Sequence, residues 1–289
     1  MSEQPPSLSP RFAALPPPLL VVGMHRSGTS LIAGMLTALG VCLDPAMPPP
    51  PEGAPFDPPS DKLRSDGYCE AEAFRLLDER ILDSAGAAWH EIAPFLAVRD
   101  DPRFMERSVR TMLRATHGAL ASGFLDLAPH PLHAWGWKDP RTSLLLPYWL
   151  QLFPDARILH VRRDPARVVD SLLKRAGSED ARSPVILPRI ARAVHSPAAV
   201  IRAVRRRIAP SPAEAGHAGM DDRQRYRELC DAYVAACERY RDLAPERYLE
   251  IAFEEAVANP ADVAKQLAAF ARLDASPGRL QSAANFVRP

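Results

Sequence analysis

The sequence predicts an α/β protein in three layers, α/β/α, with a central parallel sheet between helices. Two observations carry this expectation. Short apolar runs of the length of buried parallel strands end in turn residues and are followed by stretches of helical periodicity. This strand–turn–helix unit recurs at 19–40, 135–152, 158–173 and 248–270. The second observation is size: 289 residues suffice for one large domain, or for one domain with a substantial cap.

Composition narrows the class. Apolar content of 47% and charged content of 25% are ordinary for a globular protein. A formal net charge of +1 supplies no bulk attraction to nucleic acid, so no such partner is expected. Arginine far outnumbers lysine, and Lys62, Lys138, Lys174 and Lys265 are the only lysines. Cys42, Cys69, Cys230 and Cys237 make neither a C-x-x-C pair nor a zinc pattern, so no metal site is expected and a reducing cytoplasm fits. Cys230 and Cys237, seven apart on a predicted helix, share a face as small core residues. Residues 1–18 lack a basic start followed by an apolar run, so they read as a flexible leader and not as a secretory signal. A single domain over 19–289 is expected, with no run approaching the ~20 apolar residues of a membrane span.

The first unit organises the rest. Leu19-Leu20-Val21-Val22 reads as a buried strand, and Gly23 follows at once. After Met24-His25-Arg26-Ser27-Gly28-Thr29-Ser30, a helical repeat runs through Leu31, Met35 and Leu39 to a C-cap glycine, Gly40. Strand, glycine-bracketed loop and helix make an anion cradle, because loop and first-turn N–H groups converge at the positive end of a helix dipole. Arg26 adds a cation, and Ser27, Thr29 and Ser30 add hydroxyl donors. Gly23 and Gly28 have the G-x-x-x-x-G spacing of a nucleoside-triphosphate loop, but Thr29 stands where that motif needs lysine. Phosphate or sulfate belongs there, with the cation moved inside the loop.

Arg26-Ser27-Gly28-Thr29-Ser30 resembles the 5′-phosphosulfate loop of sulfotransferases that use 3′-phosphoadenosine 5′-phosphosulfate (PAPS). The resemblance implies a P-loop nucleotide-hydrolase-like fold without the lysine of that loop.

Residues 44–67 carry prolines at 45, 48, 49, 50, 51, 55, 58 and 59, which leaves no room for a regular element. They read equally as a surface loop or an active-site lid. Gly67-Tyr68-Cys69-Glu70 then runs into a helix with Phe74, Leu77, Ile81 and Leu82 on one side. By spacing alone, Glu70 and Glu72 are acids at a helix start, where acids are favoured anyway. Bacterial members of the resembled family often carry a Gly-aromatic-x-Glu stretch followed by a helix and a tryptophan, as Trp89 follows here; the resemblance implies Glu70 as base for the acceptor hydroxyl, with Glu72 in reserve. His90-Glu91 opens like a zinc-protease motif, but Pro94 replaces the second histidine. Residues 102–122 read as a core helix.

In His133-Ala134-Trp135-Gly136-Trp137-Lys138-Asp139-Pro140-Arg141 the aromatic part reads as a strand, with Lys138 just past its carboxyl end, where open α/β sheets bind ligands. The segment resembles the Lys-Asp-Pro stretch of sulfotransferases, which implies that Lys138 contacts the transferring sulfuryl group; Arg141 pairs either with Asp139 or with ligand. After a helix at 142–152 comes the strand Ile158–Val161, closed by Arg162-Arg163-Asp164-Pro165. Arg163 at a strand end and Ser171 two helical turns on can donate to one phosphate. Their spacing resembles the 3′-phosphate site of the same enzymes.

Residues 177–222 mix many arginines with apolar residues and read as a basic helical cap or insertion, a cleft for an acidic acceptor, a peripheral membrane contact or a solvated excursion. A helix over 223–242 follows, then a strand over 248–255 ending in acids, with Glu254 read as structural, and a helix from Asn259-Pro260.

Together these readings predict transfer of a sulfuryl group from PAPS to a hydroxyl acceptor, a sugar or glycoconjugate, releasing adenosine 3′,5′-bisphosphate without a metal. The catalytic residues are Glu70, Lys138 and Arg26; the donor is held by Arg26, Ser27, Gly28, Thr29, Ser30, Arg163 and Ser171. Two rivals stand beside this reading: a P-loop-type kinase or NTPase acting on ATP, and a non-catalytic module binding a phosphorylated ligand or an anionic glycan.

Overall fold

The computed structural model describes residues 7–51, 54, 56, 69–181 and 221–287. Most of the proline-rich 44–67 stretch and nearly all of the basic 177–222 region lie outside the described residues. Four parallel strands form one sheet: β1 (Leu19–Val22), β2 (Gly136–Lys138), β3 (Arg157–Arg162) and β4 (Tyr248–Ala252), in the order β2-β1-β3-β4. The register sets Val21 beside Lys138 and beside Leu159, so the carboxyl ends of β2, β1 and β3 reach one edge together. The chain enters at β1, crosses to β2 on one side, and returns across β1 to β3 on the other. Such a reversal opens a crevice at the strand ends.

Alternation along the strands divides the core in two. Leu20, Val22, Trp137 and Ile158 face helices α3 (Glu72–Ser84), α4 (Ala93–Val98), α5 (Pro102–His117), α6 (Thr142–Leu152) and, further along the chain, α7 (Pro165–Ala181) and α8 (Asp222–Glu238). Leu19, Val21, Leu159 and Val161 face α2 (Thr29–Leu39), α10 (Pro260–Phe270) and α11 (Pro277–Asn285). Helices cover both faces of a parallel sheet, the predicted class. The first face is aromatic: the Trp137 ring stacks on Phe74 with centroids 4.2 Å apart, and Trp149 lies 4.5 Å from Trp137.

Four expectations are corrected. Residues 7–18 are not a flexible leader, because Phe12 is buried against Trp135 and Phe153 in the short helix α1 (Pro10–Ala13). Trp135 Nε1 donates to Pro16 O at 2.7 Å, and Ser9 N donates to Thr116 Oγ1 at 3.1 Å. The helix read over 102–122 ends at His117, and a π-helical turn, Ala121–Leu125, replaces its end. The strand read over 248–255 stops at Ala252, and Phe253–Ala258 forms the short helix α9. Lys138 is the last residue of β2 and not a loop residue beyond it.

Candidate active site

The first βα loop is shaped by three residues with left-handed backbone: Gly23 at φ 143, Arg26 at φ 70 and Gly28 at φ 96. Glycine is required at the outer two for space as well. A Cβ on Gly23 would overlap Val161 O, and one on Gly28 would overlap the Phe253 ring. Ser143 Oγ of α6 accepts from Gly23 N at 3.0 Å, which ties the loop to that helix, and Ser27 N donates to Met24 O at 3.1 Å within the loop. Ser27 and Thr29 are buried, and Ser27 Oγ has no hydrogen-bond partner among the described residues. An orphaned buried hydroxyl inside a loop that opens a helix fits an anionic ligand group.

Two clusters flank this loop. On the β2 side, Lys138 Nζ lies 2.7 Å from Glu70 Oε1 and approaches Ser30 Oγ at 3.5 Å. The Lys138 side chain is 1% exposed and that of Glu70 9%, so the pair is buried. Glu72 is the first residue of α3, 79% exposed, and pairs with Arg75 at 3.6 Å; of the two glutamates only Glu70 reaches the site. On the β3 side, Arg26 Nε donates to Ser171 Oγ at 3.0 Å, and Arg163 Nη1 donates to Arg26 O at 3.1 Å. Arg26, expected with the phosphosulfate group, therefore extends its guanidinium to the Arg163/Ser171 pair. Every site residue read from the sequence lies in one of these clusters or in the loop that joins them.

A third group underlies Lys138. Arg141 pairs with Asp139 at 2.9 Å and with Glu79 at 3.1 Å, and Arg141 Nη1 lies 3.9 Å from Glu70 Oε2. Burial works against the Arg141 charge, but Asp139, Glu79 and Glu70 outweigh it and raise its pKa. Burial pushes the Asp139 carboxyl up to about 6, with Arg141 pulling it down and Glu70 adding to the rise. Asp78, fully buried, accepts from Thr142 Oγ1 and from Trp149 Nε1 at 2.8 Å; burial, then the nearby Asp139, raises its pKa.

Sequence reasoning missed several supporting residues. Asp78 and Glu79 sit on the site-facing side of α3 with no motif to mark them, and Ser143 looks like any hydroxyl in a helix's first turn. Phe253, read as the end of a strand, packs on Gly28 and carries the Arg163 guanidinium 4.4 Å over its ring, a cation–π contact. Glu254 Oε1 accepts from Asp164 N at 3.3 Å, in line with its structural reading. The His25 ring lies tilted against that of Trp89, with centroids 4.4 Å apart; burial, then Arg141 and Lys138, lower its pKa. Among the described residues no group of three or more His, Cys, Asp or Glu converges on a possible metal position.

A family model described as the sulfotransferase family matches residues 17–211, more than half of the chain and all three motif blocks. The chain belongs to the sulfotransferase family. Among solved structures it is similar to sulfotransferase STF9 from Mycobacterium avium, at 17% identity and TM-score 0.49, over 96% of this chain and 69% of that one. It is also similar to the sulfotransferase domain from the curacin biosynthetic pathway, at 16% identity and TM-score 0.48, over 93% of this chain and 78% of that one. A sulfotransferase from Alicyclobacillus acidocaldarius matches at 17% identity and TM-score 0.43, over 90% and 83% of the two chains. No curated protein matches the chain significantly. The Lys138–Glu70 pair lies beside the first βα loop of this sulfotransferase, at Ser30.

Proposed function

We propose that this sulfotransferase moves a sulfuryl group from PAPS to a hydroxyl of a sugar or glycoconjugate. The observation that carries the reading is the convergence of one lysine, one carboxylate and the Ser30 hydroxyl of the loop on a single spot, at 2.7 and 3.5 Å from Lys138 Nζ. PAPS supplies a sulfuryl group on a good leaving group, so the chain has little covalent chemistry to perform and acts by positioning and charge. The N–H groups of Gly28, Thr29 and Ser30, with the Ser27, Thr29 and Ser30 hydroxyls, hold the 5′-phosphosulfate at the start of α2. Arg163, Ser171 and Arg26 hold the 3′-phosphate, with Phe253 fixing the plane of Arg163. Lys138 stabilises the negative charge that grows on the sulfuryl and bridging oxygens. Glu70 takes the acceptor proton as the acceptor oxygen bonds to sulfur; the sulfur–oxygen bond to the 5′-phosphate breaks, and its electron pair stays on the departing phosphate oxygen.

The direct test is release of adenosine 3′,5′-bisphosphate from PAPS with and without a panel of simple sugars. Sugar-dependent release, lost in Lys138→Met and in Glu70→Gln, is the expected result. Equal release in wild type and both variants contradicts the assignment of these two residues.

A further inference from the structure

Lys138 has one ammonium group and two claimants for it. Its Nζ lies 2.7 Å from Glu70 Oε1 and 3.5 Å from Ser30 Oγ, on the anion-binding loop. At 1% exposure it has no water to turn to, so it can leave its carboxylate only when another anion comes within reach. The loop is where such an anion would arrive, and Ser30 already marks that direction. Glu70 is held differently. Arg141 Nη1 lies 3.9 Å from Glu70 Oε2, and Arg141 is anchored by Asp139 at 2.9 Å and by Glu79 at 3.1 Å, so Glu70 keeps a cation beside it if Lys138 turns away. A carboxylate tied to an ammonium at 2.7 Å has one oxygen occupied by that contact and is not free to take an acceptor proton there.

We propose that donor binding releases the base: Lys138 exchanges Glu70 for the incoming sulfuryl group, and Glu70 becomes available only in the donor complex. The proposal rests on the reading of PAPS as donor. In the free enzyme the ion pair stays closed, and Glu70 Oε1 is not open to the acceptor. Once transfer is complete, the bound nucleotide carries no sulfuryl group, so Lys138 returns to Glu70 and the pair closes again. Donor therefore has to precede acceptor in a productive cycle.

The test compares binding of PAPS and of adenosine 3′,5′-bisphosphate to wild type and to Glu70→Gln by titration calorimetry. Only PAPS must open the ion pair, so the variant should bind PAPS about ten-fold more tightly or better, with its bisphosphate affinity unchanged. The gain should vanish in a Lys138→Met background; simple repulsion between Glu70 and the sulfuryl group would preserve it there. If the amide variant does not fold, Glu70→Asp carries the test with a smaller gain for PAPS, because the shorter carboxylate reaches Lys138 less well. An unchanged PAPS-to-bisphosphate ratio in the folded variant overturns the exchange and leaves the donor reading intact. Failure of wild type to bind either nucleotide overturns the donor reading, and the exchange with it.

Discussion

Lys138 and Arg163 do different work, and single substitutions separate them. Lys138→Met should lower kcat by about 10²-fold or more, the usual effect of losing one group that stabilises charge in a transition state, while binding of adenosine 3′,5′-bisphosphate stays near wild type. Steady-state rates beside calorimetry read both quantities, and unchanged kcat contradicts the role. Arg163→Ala should instead weaken bisphosphate binding by about 10- to 100-fold, from the loss of charge-assisted hydrogen bonds. Glu72→Gln, at an exposed helix start, should leave both unchanged. These residues were legible in the sequence because their chemistry is local to a motif: a cation inside a glycine-bracketed loop, a rare lysine at a strand end, an arginine eight positions before a serine. Arg141 was not legible to the same degree. Its pairing with Asp139, two positions away, was one of two readings, but only the packing of α3 against β2 brings Glu79 to it. Phe253 carried no signal either, since an aromatic at a strand end is ordinary core material.

At the scale of elements, the site is held by two glycines and a helix start. Gly28→Ala would put a left-handed backbone under a side chain whose Cβ overlaps Phe253. The expected cost is about 1–3 kcal/mol of stability, read by urea unfolding, with loss of nucleotide binding in the folded fraction because Phe253 and the Arg163 above it must shift. Wild-type stability and binding in that variant contradict the packing described for the loop. The strand–turn–helix units were readable because β1 is a continuous apolar run and the other strands are largely apolar and end in turn or charged residues. Element ends were less readable. The strand over 248–252 and the helix from Phe253 meet without proline or glycine to punctuate them, and the first eighteen residues hide one buried aromatic, Phe12, among prolines.

For the whole molecule, pH dependence follows from groups buried at the sheet. His160, in the centre of β3, is fully buried with Nδ1 2.8 Å from the Tyr248 hydroxyl. Burial lowers its pKa to about 4, with Glu250 pulling the other way. The unfolded chain therefore binds the extra proton between about pH 6.5 and 4 and the folded chain does not, so this residue costs stability progressively as pH falls through that window. Asp139 acts in the opposite sense: a folded pKa of about 6 means that its contribution falls as pH rises from about 4 to 6. His160→Asn, which keeps a polar atom near Tyr248, should narrow the stability difference between pH 7 and pH 5 by about 2 kcal/mol. Urea unfolding at the two pH values checks this, and an unchanged difference contradicts the buried neutral imidazole. The layered fold and the order of its motif blocks were legible from sequence, since both depend on patterns along the chain; the pairs Lys138–Glu70 and Arg141–Glu79 were not, since their members lie far apart in it.

The central claim is that the loop, Arg163 and Ser171 together recognise a nucleotide with a 3′-phosphate. Titration calorimetry with adenosine 3′,5′-bisphosphate, ATP and ADP, without added metal, tests it most directly. The account predicts tight binding of the bisphosphate alone, weakened about 10- to 100-fold in Arg163→Ala. Preference for ATP, or equal binding of all three in wild type and variant, would contradict it.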